Sequence, residues 1–451
     1  MNDSRARSLL QGAFEAALKR VDPYHLIRDR LSLEGDILCV EGLSRTLDLS
    51  RFSRIVLVGA GKASAAMARA VSEALCGRIS SSLIICKYGH TDAGRGPLSG
   101  LRLVEAGHPI PDDAGVRASR ELLDLAAGCD NETLVIMLTS GGGSALMAAP
   151  PEPLTLDDLQ ELSRLLLASG ADIVEMNSIR SQLSAIKGGR LARAFAPATV
   201  LNLILSDVVG DRLDIIASGP CVPSPGSPKD ALELLSALDL YDRVPASVIQ
   251  LLESPSFQPG PLAGDCIFDK VYNVLLGTNR DALEAAASFF EGEGIETLLL
   301  SSMITGEARE IARAFAGIAL DHARRRGSAA GPGGPLAILA GGETTVTLRG
   351  KGRGGRNQEL ALAFLGELAR EPLERSSRIT LLAASTDGND GPTDAAGAWA
   401  SLPLLERARE KGMDLRRWLR NNDSWSFFKE IDGLYITGPS GTNVCDLALI
   451  L

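Results

Sequence analysis

At 451 residues, 45% hydrophobic and 23% charged, the chain holds more apolar material than one ordinary core needs and predicts two domains. A net charge of −10 argues against a broad nucleic-acid surface, so an anionic ligand would need a local cluster of cations and backbone N–H groups. Seven cysteines, odd in number and without a CxxC pair, predict reduced thiols in a cytoplasmic protein rather than a disulfide framework.

In chain order, the first twenty residues carry helical apolar spacing at Leu9, Leu10, Ala13, Phe14, Ala17 and Leu18, which predicts a surface helix and neither a signal peptide nor a membrane span. Strands are predicted at Arg54–Val58, Ser82–Cys86, Leu101–Glu105, Thr133–Leu138 and Thr199–Leu205. Most lead through a glycine-marked turn into helical spacing, the alternation of a doubly wound parallel sheet. A Pro-rich stretch at 220–228 interrupts the pattern. A second series is predicted at Tyr272–Leu276, Glu296–Leu300, Leu336–Leu339 and Ile379–Ala383, with helices near 281–290, 307–326 and 357–370. The expected fold is α/β: a larger Rossmann-like domain over 1–250 and a smaller α/β domain over 260–451, the boundary lying near 245–265. GSAAGPGGP, before Leu336, reads as a flexible loop within the second series.

The richest local signal is LTSGGGSAL, residues 138–146, directly after an apolar strand. Ser140, Gly141, Gly142, Gly143 and Ser144 form either a cradle of bare N–H groups for phosphate or a tight strand-to-helix turn. The first strand ends in VGAGKAS, where Gly59 and Gly61 approach the dinucleotide fingerprint, but Cys86 and Lys87 stand where that fingerprint asks for an acidic ribose ligand. Lys62, at the mouth of this turn, is placed to neutralise an anion, and the spacing is not that of a Walker A loop. In NSIRSQLSAIKGG, Asn177, Arg180, Ser184 and Lys187 fall three and four residues apart, which predicts one helical face carrying two cations for a carboxylate or phosphate.

Asp207 follows a strand in LSDVVGDRLD and is a candidate magnesium ligand or proton acceptor; Asp211 and Asp214 serve equally well as turn caps. GGETTVTLRGKGRGGRNQEL brings Arg356 to the start of an apolar helix after a Gly-rich approach, a charge-stabilising clamp. STDGNDGPTD fails the calcium-loop pattern, leaving Asp387 a candidate for magnesium or substrate hydroxyls. TGPSGTNVCDL is a further Gly and hydroxyl loop. His25, His90, His108 and His322 have no zinc spacing; His108, in GHPIPDD, could touch substrate or make a structural hydrogen bond. No GxSxG elbow supports a hydrolase.

In order, VGAGKAS, GHPIPDDAG, LTSGGGSALM, NSIRSQLSAIKGG, LSDVVGDRLDIIASGP, GGETTVTLRGKGRGGRNQELAL, STDGNDGPTDAAGA and TGPSGTNVCDL resemble the glycerate 2-kinase family, the MOFRL-type glycerate kinases, from about Leu57 onward. Cys445 stands where the pattern expects a polar residue such as Asn. The resemblance implies ATP-dependent phosphorylation of D-glycerate at its 2-hydroxyl, with magnesium, on two α/β domains around a cleft. It carries Lys62 and Arg356 over as the active-site cations. On this reading Asp207 or Asp387 holds magnesium, Arg180 or Lys187 meets the substrate carboxylate, with Asn177 and His108 also at the substrate, and the 140–144 loop holds phosphate oxygens. The partners are then small molecules, with neither nucleic acid nor membrane, and homo-oligomer formation is left open. Two rivals remain: an NAD(P)H-dependent hydroxypyruvate reductase, since some members carry that label, and a non-catalytic sugar-phosphate-binding regulator.

Overall fold

The computed structural model describes residues 2–91, 100–171, 173–224, 226–326 and 334–451. The loop expected at GSAAGPGGP falls largely on 327–333, outside the described residues. The chain forms two compact units, Pro23–Leu276 and Met1–Asp22 with Gly277–Leu451. These divide the sequence differently from 1–250 and 260–451: the passage between units comes at 276/277, and the amino-terminal helix belongs with the carboxyl-terminal part.

The unit Pro23–Leu276 opens with a small antiparallel sheet of β1 (Leu31–Glu34), β2 (Ile37–Val40) and β3 (Leu47–Asp48). Its main sheet contains β4 (Arg54–Ala60), β5 (Ser81–Lys87), β6 (Leu103–Ala106), β7 (Thr133–Thr139), β8 (Thr199–Leu205) and β9 (Val271–Gly277), in spatial order β6-β5-β4-β7-β8-β9. Pairings from β6 through β8 are parallel. Every residue of β7 is buried, as expected of a parallel strand covered on both faces. Val58, Ile85, Met137 and Val200 from four adjacent strands share one core with Phe195 and Leu122 from covering helices. Numbered within this sheet the order is 3-2-1-4-5-6, the doubly wound arrangement. It reverses between β4 and β7, so the loops leaving these strands lie at the switch point where such sheets bind ligands.

The run Tyr272–Leu276, expected to open the second series, is instead the outer strand β9 of this first sheet. An apolar run carries no mark of which sheet it joins. Here Asn273 Nδ2 donates to Cys221 O at 3.0 Å, and its Oδ1 accepts from Asn202 of β8 at 2.9 Å, tying β9 to the earlier sheet.

The other unit holds a mixed sheet, β10 (Glu296–Glu307), β11 (Leu336–Thr345), β12 (Thr380–Ser385), β13 (Gly397–Ser401), β14 (Leu434–Tyr435) and β15 (Asp446–Ile450), ordered β10-β11-β15-β12-β13-β14. β10 and β11 are parallel, while β15 inserts antiparallel to both β11 and β12. The helix Asp3–Arg20 is buried along Leu9, Leu10, Ala13, Phe14 and Ala17, and is a core element of this unit rather than a surface appendage. Phe14 meets the Tyr435 ring edge-on at 5.5 Å, and Val21 O accepts from Thr442 Oγ1 at 2.6 Å. All seven cysteines are free thiols, and among the described residues no helix is long and apolar enough to cross a membrane.

Candidate active site

At the switch point of the first sheet two loops are locked together. Gly61 has φ +143°, and a Cβ there would meet Ser140 Oγ at 2.0 Å, so only glycine allows the approach. Across this contact Lys62 N donates to Gly141 O at 2.9 Å, Ala63 N to Ser140 Oγ at 3.1 Å, and Ser140 N to Ala60 O at 3.1 Å; Gly61 N donates to Ile85 O at 3.1 Å. The N–H groups that a dinucleotide fingerprint would offer to pyrophosphate are therefore already engaged within the protein. Gly59 likewise serves packing, its α-carbon lying against Leu138.

The Ser140–Ser144 loop differs. The N–H groups of Gly141 and Gly142 have no acceptor among the described residues. A Cβ on Gly141 would strike the Asp207 carboxylate at 2.1 Å, and one on Gly142 would strike the His108 ring at 2.9 Å. Thus Lys62, Asp207 and His108 all border the bare backbone of residues 141–142. Burial first, then the charges of Lys62, Lys87 and His90, bring the His108 imidazole down to about 4, so it is neutral at neutral pH. Cys86, where a ribose carboxylate would stand in a dinucleotide site, is buried, and its thiol is pushed up to about 11 by desolvation.

Beyond Gly143, Ser144 Oγ lies 2.6 Å from Ser218 Oγ, and Ser218 Oγ donates to Asn177 Oδ1 at 3.0 Å. Ser218 is buried and follows Ala217 in the left-handed region, φ 59° after 50°. Two successive non-glycine residues there store about 1 kcal/mol or more each, a cost often met at functional sites. Sequence reading gave Ser218 no role; its signal was the SGP turn after DIIA.

The helix expected through Asn177, Arg180, Ser184 and Lys187 spans Ile173–Gln182, so Ser184 and Lys187 lie on the turn after it. Arg190 accounts for the break: its guanidinium donates to Ser181 O at 2.7 Å and to Gln182 Oε1 at 3.2 Å. Arg180, Ser184 and Lys187 nonetheless converge, lining one cavity with Ser144, Pro111 and Leu183. Asn177 stands behind Ser218 rather than in that lining.

Lys187 is only 7% exposed, and neither its amine nor the Arg180 guanidinium has a carboxylate partner among the described residues. Burial, and secondarily the charge of Arg180, hold the Lys187 amine well below the ordinary lysine range; burial also lowers Arg180. Keeping a buried Lys187 charged beside a half-buried Arg180, with no carboxylate partner among the described residues, is costly, and a ligand carboxylate or phosphate would relieve that cost.

In the carboxyl-terminal unit, Arg356 opens the helix Arg356–Leu368. Its Nη1 donates to Glu343 Oε1 at 2.7 Å, and two further donors fork onto Asp446. Burial pulls the guanidinium down, but Asp446 and then Glu343 outweigh it and hold its pKa above the usual arginine value. Asp390, fully buried, accepts from Asn357 N at 3.1 Å and Gln358 N at 2.9 Å, capping the helix that presents Arg356. Desolvation, then the charge of Asp446, push this carboxyl up to about 7. Asp387 Oδ1 accepts from Ser385 Oγ and Asn389 N, both at 2.9 Å. No group of three or more His, Cys, Asp or Glu side chains that could hold a metal is formed among the described residues.

Residues 9–253 match the family model described as a domain of unknown function (DUF4147), and 336–446 match the MOFRL family. A protein of Agrobacterium vitis provisionally named a hydroxypyruvate reductase is 41% identical over the whole of this chain and 95% of its own. The D-glycerate 2-kinase of Thermotoga maritima is 37% identical over 90% of this chain and 93% of its own. A crystal structure of glycerate kinase from that organism superposes with a TM-score of 0.83 at 34% identity, covering 99% of each chain.

Proposed function

The chain belongs to the glycerate 2-kinase family with a MOFRL part, and from that premise we propose that it transfers the γ-phosphoryl group of ATP to the 2-hydroxyl of D-glycerate, giving 2-phosphoglycerate and ADP. One observation carries the reading: at the switch point the N–H groups of Gly141 and Gly142 have no acceptor among the described residues and are bordered by Lys62 and Asp207. Bare N–H groups beside a cation suit phosphate oxygens, and phosphoryl transfer asks chiefly for positioning and charge neutralisation.

In this reading Arg180 and Lys187 take the glycerate carboxylate, whose negative charge favours the charged form of the Lys187 amine against the burial that opposes it. Neutral His108 offers a hydrogen bond without adding charge. Arg356 exchanges a carboxylate partner for phosphate oxygens and meets the charge that develops during transfer. Magnesium suits residues that offer one or two carboxylates and no closed cage, since it is commonly held largely by nucleotide phosphates and water. Asp207, whose carboxylate borders Gly141, is the carboxylate we assign to it, with Asp387 the other candidate, and the metal would supply neutralisation of phosphate charge.

The reductase rival is disfavoured by the engaged N–H groups of Gly61, Lys62 and Ala63 and by buried Cys86 at the ribose position. The deciding experiment supplies ATP, magnesium and D-glycerate and follows ADP, with the product identified by its direct dehydration to phosphoenolpyruvate. Absence of ADP, or NADPH consumption with hydroxypyruvate, overturns the kinase reading.

A further inference from the structure

We propose that Ser144 accepts a hydrogen bond from the substrate's 2-hydroxyl and thereby selects 2-hydroxy acids, its own proton being drawn away from the ligand by Ser218. The inference rests on the carboxylate reading of Arg180 and Lys187 and adds the contact that distinguishes one small acid from another.

Asn177 presents its amide oxygen to Ser218, and that oxygen has no proton to give. Ser218 therefore donates its single hydroxyl proton to Asn177. In the 2.6 Å contact between the two hydroxyls the donor must then be Ser144. With its proton committed behind the loop, Ser144 Oγ faces the cavity with lone pairs alone. Phosphate and carboxylate oxygens carry no proton to offer it, whereas an alcohol does.

The same cavity is lined by Arg180 and Lys187, the latter nine-tenths buried, its amine without a partner among the described residues. Cations for a carboxylate beside an acceptor for a hydroxyl match a molecule with these groups on adjacent carbons. The contact also assigns Ser144 differently from its neighbours Gly141 and Gly142, whose N–H groups are donors. Ser144 orients the alcohol oxygen; the open N–H groups meet the phosphoryl oxygens. The left-handed backbone at Ala217 and Ser218 aims the Ser218 hydroxyl at both partners.

Calorimetric binding of D-glycerate and of 3-hydroxypropanoate, which lacks the 2-hydroxyl, tests this without turnover. Wild type should prefer D-glycerate about tenfold, the scale of one well-made hydrogen bond. Ser144→Ala should bring the two affinities within about twofold by weakening D-glycerate alone. Ser218→Ala, which frees the Ser144 proton to turn into the cavity, should shrink the preference in the same direction and decides the matter if Ser144→Ala does not fold. A full preference retained in the folded variant overturns the proposal. If neither acid binds wild type, the carboxylate reading falls, and this inference with it.

Discussion

Arg356 and Asp446 form a two-pronged ion pair, Nε to Oδ2 at 2.5 Å and Nη2 to Oδ1 at 3.0 Å, which joins the start of a helix to the first residue of the central strand β15. The planar fork fixes the direction of the guanidinium as well as its charge. Arg356→Lys keeps the charge and loses the fork, so kcat for ADP formation should fall by about 10²-fold or more. Asp446→Asn should lower the stability of this unit by on the order of 2 kcal/mol in denaturant unfolding, since the half-buried Arg356 then loses one of its two carboxylate partners and keeps only Glu343. Near-normal turnover in Arg356→Lys would remove Arg356 from the transfer step.

Lys62 is judged by a cleaner substitution, because the loop that carries it is held by backbone bonds of Gly61, Lys62 and Ala63 that any side chain leaves in place. Lys62→Ala should lower turnover by about 10³-fold while leaving the unfolding midpoint close to wild type. A variant with ordinary kcat would show that the cation at this turn is not needed.

Lys187 makes a prediction in protons. Its amine is held below the lysine range by burial and by Arg180, so on the alkaline side, above that lowered pKa, a bound carboxylate should draw a proton onto it. D-Glycerate binding measured in buffers of different ionisation enthalpy should show net proton uptake, and Lys187→Met should abolish it. Uptake of equal size in that variant would assign the proton to another group.

Asp390 predicts a pH dependence of stability. Its carboxyl is raised in the folded unit, so its contribution is fully present below the ordinary carboxylate range and is lost as pH rises through about 7. Denaturant unfolding should show the carboxyl-terminal unit more stable at pH 5 than at pH 8.5, with on the order of 2 kcal/mol of the difference due to Asp390. Asp390→Ala should shrink that difference while lowering stability overall, because Asn357 N and Gln358 N lose their acceptor. An unchanged difference would place the titration elsewhere.

The parallel half of the fold was legible because its strands are short apolar runs ending in glycine turns. Residues 54–60 and 133–139 announce both strand and switch-point loop. What stayed illegible was choice of partner. Val271–Gly277 reads the same whether it extends the first sheet or opens the second, and the side-chain bonds of Asn202 and Asn273 that decide it join residues 71 positions apart. The antiparallel insertion of β15 was hidden for the same reason.

At the site, Arg180 and Lys187 were visible as cations, though on an assumed continuous helix that Arg190 interrupts. Ser218 was invisible, since its role follows from a left-handed backbone that its sequence does not advertise. Cys445 shows the converse. It adopts φ 67°, a conformation Asn enters more readily, which gives a physical sense to the expectation of a polar residue there.

The division of the chain bears on its biosynthesis. Helix Asp3–Arg20 leaves the ribosome early, but the residues it packs against begin at Gly277, after the 254 residues of Pro23–Leu276. At about 5–20 residues per second its apolar face, Leu9, Leu10 and Phe14 among it, stays uncovered for on the order of tens of seconds while the intervening unit is completed. Nascent chains are therefore expected to bind a chaperone through this segment. Chains lacking residues 2–22 should yield a protease-resistant 23–276 unit and a labile remainder, a pattern that limited proteolysis reads directly.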